Sequence, residues 1–199
     1  MLSNLPNILT VFRMLAVVPL VYWLLVGAYQ PALILAFIAG MSDWVDGVLA
    51  RRFGWTSRFG GIVDPLADKL MLVSLTMVLA YIGEFPLWLA VLIILRDVVI
   101  VSGGVIYKHC FGPVDVVPFR LSKWNTGLLI LLVLVVMLRL NGVQPEIAGI
   151  NLIRQLEQGL IWIVTTTTII TGIQYVWVWG AKAWRSRQTS RPDNKNEVE

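Results

Sequence analysis

The chain has 199 residues, of which 57% are hydrophobic and 14% charged. A soluble domain carries about 25% charged residues, so this composition excludes an ordinary water-soluble enzyme and points to one integral membrane domain. The net charge of +4 is small and calls for no nucleic-acid partner, and a single cysteine, Cys110, rules out an internal disulfide.

A spanning helix needs about 20 mostly apolar residues. Six such stretches are predicted, making the fold class an all-α membrane bundle. The first runs from Pro6 to Val26, the second from Ala32 to about Leu49, and the third from about Gly61 to Ile82. The fourth runs from Pro86 to Tyr107, the fifth from Ser122 to Leu140, and the sixth from Ile153 to Trp179. Glycine and proline punctuate the breaks at Gly27–Pro31, Gly83–Pro86, Gly112–Pro118 and Asn141–Gly149. The opening MLSNLPNILTVFR has no basic segment ahead of an apolar core, so no cleaved signal peptide is expected. Residues 186–199 are polar and are predicted as a disordered tail after a catalytic domain spanning 1–185. Trp88, Trp124, Trp177 and Trp184 fall near span ends, as interfacial anchors do.

Basic residues in short loops set orientation. Arg51, Arg52 and Arg58 lie between the second and third spans, Lys108, Arg120 and Lys123 between the fourth and fifth. The tail adds Lys182, Arg185, Arg187, Arg191 and Lys195, while the alternate loops carry Glu84, Glu146 and Glu157 with Arg139 and Arg154. The alternation predicts both termini in the cytoplasm of a bacterial-type inner or plasma membrane.

The chemistry concentrates in SDWVDGVLARRFGWTSRFGGIVDPLADK. Asp43 and Asp46 are three residues apart, Asp64 and Asp68 four apart, so on helices each pair shares a face. Carboxylates at membrane depth cost several kcal/mol each unless neutralised. One such residue is readily explained by an arginine partner or a neighbouring helix, but two phased pairs are not. All-oxygen donors select hard cations, Mg²⁺ or Mn²⁺, and His109, the sole histidine, offers no competing cluster. Two ions would clamp a phosphoryl centre. Arg51 can meet a diphosphate bidentately, and Gly47 and Gly60 let backbone approach a bulky ligand. The charge alternation places this cluster on the cytoplasmic side.

The pattern D-x-x-D-G-x-x-A-R, eight residues, then G-x-x-x-D-x-x-x-D resembles the signature of the CDP-alcohol phosphatidyltransferases. Here it is Asp43, Asp46, Gly47, Ala50, Arg51, Gly60, Asp64 and Asp68, without departure. NLPNILTVFR resembles that family's N-P-N-x-L-T-x-x-R opening. The resemblance implies six spans and two metal ions held by Asp43, Asp46 and Asp64, with Asp68 contributing to one ion and acting as general base. It also implies that Gly47, Arg51 and Gly60 line the CDP site, with Thr10 and Arg13 near the nucleotide or phosphate pocket. The implied donor is CDP-diacylglycerol, entering from the bilayer, and homodimers are common among such proteins.

The acceptor is less legible. Arg96 and Asp97 in LRDVVI, and Arg120, Lys123 and Asn125 in FRLSKWNT, are the acceptor-binding candidates. Arg96 either forms a buried ion pair or, with Lys123, meets an anionic glycerol-phosphate acceptor; Lys123 alternatively anchors its helix at the interface. R-D in the fourth span and S-K-x-N-T in the fifth resemble CMP-forming cardiolipin synthases, which use phosphatidylglycerol. The related phosphatidylglycerophosphate synthases, which use glycerol 3-phosphate, tend to R-E and a G-K-x-K-T-like element, and both acceptors stay open. Two other classes compete. A divalent-cation or proton transporter needs polar groups spread across the bilayer, whereas these acids gather at one edge and the TTTT run at Thr165–Thr168 can bond within its own helix. A non-catalytic scaffold accounts for the Gly103–Gly104 pair but not for four carboxylates with an arginine.

Overall fold

The computed structural model describes residues 5–53, 60–111, 120–147 and 150–189, with side chains described over 11–42, 67–106, 120–146 and 151–181. Among them are six α-helices: α1 (Leu5–Leu25), α2 (Tyr29–Phe53), α3 (Gly60–Tyr81), α4 (Leu87–Phe111), α5 (Arg120–Leu140) and α6 (Leu152–Thr189). A two-stranded antiparallel hairpin, β1 (Glu146–Ile147) and β2 (Ile150–Asn151), precedes α6. Three stretches are long and apolar enough to cross a membrane: Leu87–Ile106, Arg120–Leu140 and Leu152–Ala181. Val11–Leu25 and Tyr29–Ser42 are shorter apolar helical stretches.

The predicted helices are present, but several run further than their apolar cores. α2 starts at Tyr29 and continues to Phe53, so Arg51 and Arg52 are helical rather than in a loop. α4 continues to Phe111 and takes in Lys108, and α5 starts at Arg120, so Lys123 also lies on a helix. α6 extends to Thr189, past Trp179 and into the segment expected to be a disordered tail; the remainder of that tail is outside the described residues. The cause is common to all four. Hydropathy marks where a helix leaves apolar surroundings, but the hydrogen-bond ladder continues while residues such as Ala, Arg and Lys favour it. The β1–β2 hairpin falls where only a break was expected, and its Asn151 then caps α6 by accepting from the Arg154 amide at 3.1 Å.

The chain forms two compact units: Met1–Ala90 with Leu129–Ile161, and Val91–Leu128 with Trp162–Glu199. In the first, α1 packs on both α2 and α3. Its core includes Ala16, Leu20 and Leu24 of α1, Ala32 and Ala39 of α2, and Ala67, Leu75 and Leu79 of α3. The small side chains let backbones approach closely, which matters where neighbouring lipid is as apolar as leucine and packing drives association. On the other side of α1, Val11, Leu15, Val18 and Tyr22 recur at helical spacing and are exposed. A helix apolar on both faces suits a bilayer rather than water.

Three helices of this unit end identically. Gly27, Gly83 and Gly142 have φ of 76°, 82° and 82°, the left-handed region that glycine enters without steric cost. After α1, the Ala28 amide donates to Trp23 O and the Gly27 amide to Leu24 O, at 2.8 and 3.2 Å. The same pair of bonds follows α3 (Glu84 to Leu79, Gly83 to Ala80) and α5 (Val143 to Leu138, Gly142 to Arg139). This is the Schellman arrangement, which satisfies carbonyls orphaned by the helix end. Asn141 Nδ2 donates to Tyr29 O at 3.2 Å, tying the end of α5 to the start of α2. Arg139 of α5 donates to Glu84 at 2.9 Å and to Glu157 of α6 at 2.7 Å.

In the second unit, the described part of α6 lies close to α4. A Cβ added at Gly103 would lie 2.5 Å from Trp179 Cδ1, so only glycine fits there.

Candidate active site

Asp43, Asp46, Gly47 and Arg51 all lie on α2, and Gly60, Asp64 and Asp68 all lie on α3. The helical backbone therefore puts Asp43 and Asp46 one turn apart, and Gly60, Asp64 and Asp68 on successive turns. Side chains of Thr10, Asp43, Asp46, Arg51 and Asp64 are outside the described residues.

Helix rise sets the level of the motif. Asp43 follows the start of α2 by fourteen residues, about 21 Å at 1.5 Å per residue. Asp68 precedes the end of α3 by thirteen residues, about 20 Å. Arg13 precedes the end of α1 by twelve, about 18 Å. The three positions thus sit at similar distances along their helices from the end where α1 turns into α2 and α3 closes on its cap.

Arg13 and Asp68 meet. Arg13 Nη1 donates to Asp68 Oδ1 in an ion pair between α1 and α3. The arginine side chain is 3% exposed and the carboxylate 46%. Burial of a guanidinium demands such a partner. In return, the arginine holds the Asp68 side chain in one orientation while half of its surface stays open to another ligand. Arg13 was expected beside a nucleotide or phosphate; its described partner is the predicted base itself.

The acceptor candidates divide into two kinds. Arg96 is buried, and donates through Nη1 to Asp97 Oδ1 at 2.6 Å and through Nη2 to Ser122 Oγ. Its Nε is buried without a hydrogen-bond partner. Asn125 is also buried; its Oδ1 accepts from Thr167 Oγ1 at 2.6 Å and Thr168 Oγ1 at 3.1 Å. Arg120 and Lys123 are exposed in the first turn of α5. The buried-pair alternative for Arg96 is thus realised with Asp97. The threonine run does bond within α6, as at Thr166 to Trp162 O (2.9 Å) and Thr167 to Ile163 O (2.9 Å). Its further bonds to Asn125, like the role of Ser122, were not anticipated. Only the location of Ser122 and Asn125 in FRLSKWNT hinted at them.

The sequence profile of the CDP-alcohol phosphatidyltransferases matches residues 3–178. The chain belongs to this family. Among curated relatives it is 37% identical over 188 residues to the cardiolipin synthase (CMP-forming) / mitochondrial hydrolase fusion protein of Schizosaccharomyces pombe, covering 86% of this chain and 30% of that protein. It is 32% identical over 191 residues to the chloroplastic CDP-diacylglycerol--glycerol-3-phosphate 3-phosphatidyltransferase 1 of Oryza sativa, covering 86% of this chain and 56% of the relative. It is 34% identical over 149 residues to the CDP-diacylglycerol--glycerol-3-phosphate 3-phosphatidyltransferase of Blochmanniella floridana, covering 69% and 75%. The chain thus spans 30%, 56% and 75% of the length of these three relatives, whose names divide between the two acceptors.

Proposed function

We propose that the chain is a phosphatidyltransferase of phospholipid biosynthesis, moving a phosphatidyl group from CDP-diacylglycerol to a glycerol-phosphate-type acceptor with release of CMP. What carries this reading is the eight-position motif, complete and set on successive turns of α2 and α3, within a family match over residues 3–178.

The residues fit a pair of Mg²⁺ or Mn²⁺ ions by the chemistry of their donors. Asp43, Asp46, Asp64 and Asp68 offer only hard oxygens, and the Asp68 carboxylate is half exposed while Arg13 holds it. When bound, the ions supply positive charge to the diphosphate and lower the pKa of the acceptor hydroxyl. Asp68 then takes the hydroxyl proton. The freed oxygen forms its bond to the phosphorus that carries diacylglycerol, and the bond from that phosphorus to the CMP oxygen breaks. CMP departs with the electron pair, its charge met by Arg51. Gly47 and Gly60 make room for the nucleotide, Thr10 lies at its margin, and Arg13 acts through Asp68 as a positioning residue.

Six spans with both termini and the active site in the cytoplasm complete the reading, supported by the six helices and the alternation of basic loops. A homodimer accords with the family resemblance. Phosphatidylglycerol as acceptor, giving cardiolipin, is favoured by the R-D and S-K-x-N-T elements and by the fission-yeast relative. Glycerol 3-phosphate, giving phosphatidylglycerophosphate, is the second reading because the rice and Blochmanniella relatives carry that name. One assay tests both: purified protein, CDP-diacylglycerol and Mg²⁺ or Mn²⁺, with each acceptor in turn, reading CMP and the lipid product. Absence of CMP with every acceptor overturns the reading.

A further inference from the structure

The end of the first unit remote from the motif holds a pocket of about 410 Å³, whose lining includes Glu84, Pro86, Arg139, Arg154, Glu157 and Gln158. That is within the range of ligand-sized cavities, about 300–1,000 Å³. Three stretches long and apolar enough to cross a membrane have an end immediately beside these residues in sequence. One starts at Leu87, one finishes at Leu140 and one starts at Leu152. The pocket therefore lies where hydrocarbon gives way to headgroups. Leu87 and Leu156, which flank lining residues, are exposed, so lipid chains can lie against its rim.

Its four charged groups are unequally engaged. Arg139 donates from Nε to Glu157 Oε2 at 2.7 Å, and from Nη2 to Glu157 Oε1 at 3.4 Å and Glu84 Oε2 at 2.9 Å. Both oxygens of Glu157 are thus committed. That diverts the acid three residues along α6 from Arg154, its ordinary partner on a helix. The first turn of α6 holds no acid. Among the described residues, the Arg154 side chain has no ion pair or hydrogen bond. Glu84 is engaged on one side only: Oε2 meets Arg139, while Oε1 has no partner among the described residues, and 31% of the side chain is exposed. The pocket thus keeps one free guanidinium and one free carboxylate oxygen, and its two acids and two arginines balance.

Each free group selects one half of a ligand. A guanidinium takes a phosphate, and a carboxylate oxygen takes a cationic N–H. A neutral pocket holds a zwitterion with no charge left over. An anionic headgroup would face the Glu84 carboxylate with no cation of its own to offset it.

We infer that this pocket binds a phospholipid whose headgroup carries a primary ammonium, as phosphatidylethanolamine does. The phosphodiester accepts from Arg154 and Gln158, and the ammonium donates to Glu84 Oε1. The lipid ties the turn before α4 to the first turns of α6. It is neither donor nor acceptor in the reaction, because the motif lies about 18–21 Å along the helices. With the orientation proposed above, it belongs to the outer leaflet.

Methylation of the headgroup nitrogen tests the ammonium at constant charge. Native mass spectrometry of the purified chain in detergent reads binding of dioleoyl phosphatidylethanolamine, its N,N-dimethyl form, phosphatidylcholine and phosphatidylglycerol. Phosphatidylcholine, which has no N–H, should bind about tenfold more weakly than phosphatidylethanolamine, the loss expected for one charge-assisted hydrogen bond. The dimethyl form keeps one N–H and should stay closer to the parent. Phosphatidylglycerol should bind no better than phosphatidylcholine. Arg154→Gln, which breaks no side-chain bond described in the fold, should weaken both zwitterions about tenfold, as loss of the phosphate contact requires. Glu84→Gln should erase the preference for phosphatidylethanolamine over phosphatidylcholine. Equal binding across the methylation series, phosphatidylglycerol binding as tightly as phosphatidylethanolamine, or an unchanged affinity in Arg154→Gln overturns the inference. Should Glu84→Gln loosen the fold through Arg139, the methylation series on the native chain decides alone. The readout is binding and not turnover, so failure of the proposed reaction leaves it standing and its failure leaves that reaction untouched.

Discussion

Replacing either partner of the Arg13–Asp68 pair should destabilise the protein by unequal amounts. The arginine side chain is 3% exposed and the carboxylate 46%. Asp68→Ala removes the described carboxylate partner of a buried guanidinium, and removing one partner of a buried pair costs about 3–5 kcal/mol. Arg13→Met leaves a carboxylate that water or headgroups can still reach, so the loss falls toward the surface value of about 1 kcal/mol. Both residues have further interactions, which makes these figures ceilings. At about 2–4 °C per kcal/mol for a chain of this size, Asp68→Ala should lower Tm by about 6–20 °C and Arg13→Met by about 2–4 °C. The double variant should lose less than the sum, because each substitution removes the reason the other hurts. Scanning fluorimetry in one detergent reads all three. Equal shifts for the single variants, or strict additivity in the double, would refute the claim that the pair is an asymmetric, half-buried lock on the predicted base.

The remaining predictions concern chemistry and packing. Asp68→Asn should abolish CMP release while keeping most of the affinity for CDP-diacylglycerol, measured by turnover and by donor binding separately; equal loss of both would reduce Asp68 to a plain ligand. Removing divalent cations with EDTA should stop turnover, and Mg²⁺ or Mn²⁺ should restore it while Ca²⁺, larger and less strict in geometry, should not do so fully; activity that persists through chelation would discard the two-ion proposal. Gly103→Ala should cost about 1–3 kcal/mol by overpacking, since its Cβ would fall 2.5 Å from Trp179 Cδ1. Trp179→Leu in the same chain should recover part of that loss in a thermal melt, and no recovery would mean that the contact is not the cause.

The helices were legible because each is a long apolar run closed by glycine or proline, and the glycines at Gly27, Gly83 and Gly142 are the residues that take left-handed φ. The charged ends of α2 and α4 were less legible. Arg51, Arg52 and Lys108 read as loop because they are charged, yet nothing in a charged side chain ends a helix, and the ladder continues to Phe53 and Phe111. The motif was visible because its spacing is local and repeats the helical turn. What it could not disclose was tertiary. Arg13 and Asp68 are 55 residues apart, and nothing in either neighbourhood names the other. Asn125 and Thr167 are 42 apart and were read as ligand contact and helix filler, though they bond to each other.

The first unit concentrates its fixed geometry at one end of its helices. Three Schellman caps, the Asn141–Tyr29 bond and the Glu84–Arg139–Glu157 cluster all gather where α1, α3 and α5 finish and α2 and α6 begin. These bonds fix the helices in register at that end. Because an α-helix rises by a constant amount per residue, a register fixed there is carried rigidly along each helix. It arrives about 18–21 Å away as a common level for Arg13, Asp43 and Asp68. A one-residue slip at a cap would rotate a motif position by about 100° and shift it by about 1.5 Å, enough to break the Arg13–Asp68 contact. The caps and ion pairs remote from the motif are therefore part of what aligns it, although none of them touches it.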